Sequence, residues 1–154
     1  MSSHPGAILT NMKLSFVASV VYLTLGLASG LYYREITKAH HFVDTTQLSV
    51  LHTHLLVLGF LFFLIVLIVD KVFGIVRASL FHWFFWIYNA GLLTTVTAMA
   101  IHGTLTVLGK NAGAALSGIA GMGHIMLTVG LIMFVIVLGQ RVFTRQKGLE
   151  PESR

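Results

Sequence analysis

The stretch LSVLHTHLLVLGFLFFLIVLIV, Leu48 to Val69, decides the fold. It contains no Asp, Glu, Lys or Arg and ends on Asp70 and Lys71. A helix of about 20 mostly apolar residues crosses a hydrocarbon core of about 30 Å. This stretch is that long, and it is apolar nearly all round, as a lipid-embedded helix is. Three other stretches meet the same test: Leu14 to Tyr33, Leu80 to Leu105 and Leu116 to Gln140. Between them fall Arg34, Glu35, Lys38 and Asp44, then Arg77, then Lys110 and Asn111. The expected fold is therefore all-α: a four-helix transmembrane bundle forming one integral membrane domain over residues 1–154, with a polar, frayed tail at 141–154.

Composition supports a membrane setting. Of 154 residues, 56% are hydrophobic and 10% charged, and mean hydropathy is +0.86. A soluble domain carries about 25% charged residues. Without cysteine the chain has no disulfides, thiolate metal sites or cysteine nucleophiles. The net charge of +5 does not point to nucleic acid, because the basic residues sit in short loops and tails, where they set topology. Four spans put both termini on one side. That side holds Lys13, Lys71, Arg77, Arg141, Arg145, Lys147 and Arg154, against Arg34, Lys38 and Lys110 on the other. The positive-inside bias places the termini in the cytoplasm of a multi-pass protein of the bacterial cytoplasmic membrane. The first apolar stretch exceeds a signal-peptide h-region and is read as a retained helix. Phe81-His82-Trp83-Phe84-Phe85-Trp86 reads as an interfacial aromatic belt. Gly26 and Gly30 form a small-xxx-small pair, a close-packing face between helices or subunits.

Ionisable groups inside a membrane mark function. The chain has eight histidines. His4 lies in the N-terminal tail, His40 and His41 in a loop, and His82 alone at an inner helix end. His52 and His54 on the second span, His102 on the third and His124 on the fourth share the outer half. At 1.5 Å per residue, His54, His102 and His124 fall within about a turn or two of one depth. On a regular helix His52 and His54 point about 200° apart, so they serve two sides rather than one ion. The His-x-x-x-His pair of a zinc protease is absent, and no carboxylate accompanies the histidines. Small residues surround them: Gly59, Gly103, Ala114, Ala115, Ser117, Gly118, Ala120, Gly121 and Gly123. Such residues admit a neighbouring helix or a flat macrocycle. Neutral imidazoles are good axial ligands for haem iron, and apolar walls keep water from a porphyrin. Met99, Met122 and Met126 lie in the same layer as further soft ligands or as packing.

The segment His52-Thr53-His54-Leu55-Leu56-Val57-Leu58-Gly59-Phe60 resembles the His-x-His-x-x-x-x-Gly segment of subunit I of haem-copper oxidases and nitric oxide reductases. The chain as a whole looks like a small bacterial four-helix membrane family of unknown function. The oxidase likeness implies His54 as ligand of a low-spin haem and His52 as facing a second site. The oxidase core has twelve helices in threefold pseudosymmetry, so the likeness also implies a homo-oligomer, trimer or dimer. Neither a three-histidine copper set nor an identifiable cross-linked tyrosine is present, which argues against complete oxygen reduction by one chain.

The leading expectation is a haem b protein for electron transfer or diatomic-gas binding, an oxidoreductase if it is an enzyme. Its axial ligands are His54 and either His102 or His124, and it works with a redox partner. A second reading is a copper or zinc carrier or channel lined by His52, His54, His102 and His124, with Asn89, Thr94, Thr95 and Thr97 as polar steps. A third is a non-enzymatic assembly partner whose histidines bond across helices.

Overall fold

The computed structural model describes residues 5–147, with side chains described from residue 9 to residue 144; His4 and residues 148–154 lie outside this range. Four helices carry the chain: α1, Pro5–Ala39; α2, Leu48–Phe73; α3, Ser79–Val107; and α4, Ala114–Lys147. Each is long and apolar enough to cross a membrane. The ends reach beyond the apolar stretches, because a helix propagates until a breaker stops it, not until lipid ends. The polar segment Arg141–Lys147, expected as tail, accordingly continues α4 through the last described residue.

Local chemistry makes the connections. Gly74 ends α2 in the left-handed region at φ 66°, a conformation that suits glycine. Its N–H donates to Asp70 O, and the Asp70 carboxylate accepts from Val76 N–H at 2.9 Å. A buried carboxylate thus ties the turn into α3. At the opposite end, Thr46 Oγ1 donates to Gly103 O and holds the start of α2 against α3.

The helices do not contribute equally. Within its apolar window α3 is 56% buried, against 28% for each of the others, so α3 is the hub. It packs along α4, where an added Cβ on Gly91 would lie 2.7 Å from Leu127 N. The two helices approach closely there because Gly91 of α3 faces Gly123 of α4, so neither helix has a side chain at the crossing. Helix α1 packs along α2: a Cβ on Gly26 would come within 2.6 Å of the Leu56 side chain, and one on Gly59 would collide with the Tyr22 ring. The Gly26/Gly30 pair is therefore a packing face within the chain. Phe62, Phe84, Tyr88 and Phe134 form an aromatic core, with Phe62 stacked on Tyr88 at 4.5 Å and edge-on to Phe134 at 5.3 Å. The aromatic run on α3 divides by helical face: Phe81, Phe84 and Phe85 are buried core, while His82, Trp83 and Trp86 are exposed.

One stretch departs from α geometry. Leu55–Leu61, directly after His54, is π-helical. A π-turn shifts the hydrogen-bond register and leaves carbonyls poorly served. Tyr88 Oη donates to Leu58 O at 2.8 Å, supplying a partner from α3.

Candidate histidine site

Helices α2 and α4 run in the same direction, on either side of α3. They touch through Phe62 and Phe134, and among the described residues α4 makes no close approach to Leu48–Leu61. The two helices therefore diverge toward the end that carries the α1–α2 and α3–α4 connections, leaving a V with α3 at its back. His54 lies eight residues before Phe62 and His124 ten before Phe134, about 12 Å and 15 Å toward the mouth at 1.5 Å per residue. Both histidines thus stand on the arms of the V within about a turn of one depth.

Their faces follow from helical geometry. On α4, Gly123, Leu127 and Phe134 are the buried side against α3. His124 lies about 100° round from Gly123, on the face of Ser117, Ala120, Gly121 and Thr128, and is exposed. On α2, Leu48, Leu51 and Leu55 are buried, while His54 shares its face with Val50 and Val57, both exposed.

The two side chains have the same internal bond. His54 Nδ1 lies 2.9 Å from Val50 O, and His124 Nδ1 lies 2.8 Å from Ala120 O. A carbonyl only accepts, so each Nδ1 must carry the proton. The neutral ring then keeps its lone pair on Nε2, pointing away from its own helix. Histidines that ligate metals are held in this way by a second bond that fixes tautomer and ring orientation.

His52 and His102 differ. The Nδ1 atom of each is buried without a hydrogen-bond partner. His52 lies on the α1 side of α2, where a Cβ on Gly30 would sit 3.8 Å from His52 Cβ. The divergence of His52 from His54 stands, since Leu48–His54 is a regular α-turn. The surface that His52 meets within the chain is α1. His102 borders a cavity of about 350 Å³ at the mouth of the bundle, lined also by Thr45, Thr46, Gln47, Val50 and Thr106.

The small residues separate into two groups. Gly59, Gly103 and Gly123 are filled by Tyr22, by Leu48 and Thr46, and by Thr95. They are helix packing. A Cβ on Gly118 or Gly121 would meet nothing within 4 Å. These two leave a low, open wall beside His124. Of the methionines, Met99 is buried core and Met122 is exposed.

Among the described residues, no three His, Asp or Glu side chains converge on one metal-sized point. Of the polar residues of α3, Thr94 and Thr97 line one open depression, while Asn89 and Thr95 are buried. Asn89 accepts from Tyr22 Oη at 2.7 Å and donates to Phe85 O, Thr95 is fully buried, and Thr97 is exposed.

The chain belongs to the family described as protein of unknown function DUF2871, which it matches over residues 12–141, reaching all four helices. No curated protein and no solved structure matches it.

Proposed function

We propose that the chain is a b-type haem protein of the membrane that transfers electrons, with His54 and His124 as axial ligands between the arms of the V. One observation carries the reading. Both imidazoles have Nδ1 committed to a carbonyl of their own helix, which leaves Nε2 as the free ligand atom of each. A haem held by His54 and His124 would supply reversible one-electron chemistry there. The chain fixes the ring orientations through Val50 O and Ala120 O. Gly118 and Gly121 keep the α4 wall low, and Val50 and Val57 keep the α2 wall apolar. The local likeness of His52 to Phe60 to the oxidase segment supports His54 as the ligand. We place both termini in the cytoplasm and a second copy against the open side of the V, giving a homo-oligomer.

The test is the visible spectrum of protein purified from a haem-replete host. A Soret band with a low-spin, six-coordinate signature is expected, lost in both His54→Ala and His124→Ala and kept in His102→Ala. Loss in His102→Ala with retention in His124→Ala would make His102 the second ligand. A five-coordinate, carbon-monoxide-responsive spectrum in the unaltered protein would replace electron transfer by gas binding. Absence of any Soret band would sink the haem reading.

A further inference from the structure

Leu93, Thr97 and Ile101 stand four residues apart on α3 and form one exposed row along the helix. An open trough lies on each side of this row, and the same three residues line both. The first trough, of about 400 Å³, runs between α3 and α1, with Leu51 and Leu55 of α2 beneath it. The second, also about 400 Å³, runs between α3 and α4, with Ile119 on the far wall. Ile119 and His124 are about 140° apart on α4, so the row looks away from the V. On α3 itself the trough sides are low, with Ala100 bordering one and Ala98 the other. Packed helices seat rows of this pitch in each other's grooves. A ridge with a groove on either side is therefore a shape that a copy of itself fits.

The middle of the row is a hydroxyl. Thr97 lies eight residues before Leu105, about 12 Å inside the end of the apolar span at 1.5 Å per residue. No water is present at that depth to bond it. Thr104, Thr106 and Thr128 each donate to the carbonyl four residues earlier, which satisfies the hydroxyl within its own helix. Thr97 makes no such bond, and among the described residues its hydroxyl has no partner. A lipid acyl chain offers it neither a donor nor an acceptor. A hydroxyl both donates and accepts, so Thr97 of a second copy is a complete partner for it. A two-fold axis brings the same residue of both copies together.

We propose that the row Leu93, Thr97 and Ile101 is a self-interface. A second copy, inserted in the same direction, seats its own row in these troughs, and the two Thr97 hydroxyls bond across the two-fold axis. The interface needs no haem. It lies on a different face from the V, so the copy placed against the V is a separate contact.

The chain lacks cysteine, so a single introduced thiol reports the contact. Thr97→Cys, at the axis, should give a disulfide-linked dimer on mild oxidation in native membranes. Leu27→Cys, on α1 and 58% exposed, measures random collision and should give little or none. Adding Ala100→Trp to Thr97→Cys fills one trough and should abolish the cross-link, with an unchanged unfolding midpoint showing that the chain still folds. Thr97→Val should weaken dimer association in detergent by about threefold, the size of an average interhelical hydrogen bond in a membrane protein. His54→Ala on the Thr97→Cys background should keep the cross-link, so this interface and the haem reading fail separately. Cross-linking of Thr97→Cys no greater than that of Leu27→Cys would mean that lipid covers the row, and would overturn the proposal. A cross-link that survives Ala100→Trp in a folded chain would overturn the seating in the troughs, and unchanged association in Thr97→Val would overturn the hydroxyl bond.

Discussion

Gly121 and Gly123 stand two positions apart on α4, about 200° around the helix, and meet opposite surroundings. A Cβ on Gly123 would press on Thr95 and lie 3.1 Å from Gly91 O, whereas one on Gly121 would meet nothing. Gly123→Ala should therefore separate α3 from α4 and cost about 1–3 kcal/mol, the range for overpacking, read as a lowered midpoint of thermal unfolding in detergent. Gly121→Leu should leave that midpoint unchanged yet cut haem content, because its side chain fills the wall beside His124. A fall in stability for Gly121→Leu would make that face a packing surface after all. Sequence alone could not separate these glycines. Both lie near His124 in the chain, and only the identity of the facing helix assigns their roles. The depth of the histidines, by contrast, was legible from counting along each span. Their facing was not, since it depends on which arc of each helix α3 covers.

Within α2 the informative element is the π-helical segment Leu55–Leu61. Nothing in Leu-Leu-Val-Leu-Gly-Phe-Leu announces it, because the register of backbone hydrogen bonds leaves no trace in apolar composition. Its supports lie on other helices: Tyr22 packs on Gly59, and Tyr88 donates to Leu58 O. The segment separates the histidine turn from the aromatic core, so it sets how far His54 is rotated relative to Phe62. Tyr88→Phe keeps the ring packing against Phe62 and removes only the hydroxyl donor. The expected cost is about 0.6 kcal/mol, the average for an interhelical bond in a membrane protein. The diagnostic signal is spectroscopic: loosening the π-turn should shift or broaden the haem bands while total haem stays near its original level. Unchanged bands together with unchanged stability would show that the Leu58 carbonyl needs no partner from α3. The helix limits were legible to within the reach of the apolar stretches. The excess came from polar residues such as Arg141 and Gln146 that favour helix as well as any apolar one.

At the scale of the whole molecule, the distribution of charge supports one direction for the bundle, and that direction is open to test. Lys13, Lys71, Arg77 and Arg141 gather at the end that holds the termini and the α2–α3 turn, while Arg34, Lys38 and Lys110 lie at the end of the V. Each basic residue near an anionic cytoplasmic leaflet contributes about 1 kcal/mol of attraction, and short loops are where this bias decides topology. The chain lacks cysteine, so single cysteines report sidedness without background. Val43, 94% exposed, marks the end of the V, and Ser79, at the start of α3, marks the opposite end. In intact cells a membrane-impermeant maleimide should label Val43→Cys and leave Ser79→Cys untouched until the membrane is opened. Labelling of Ser79→Cys in intact cells would refute the orientation. Labelling in the expected pattern would put the termini in the cytoplasm, and the V with His54 and His124 in the outer leaflet.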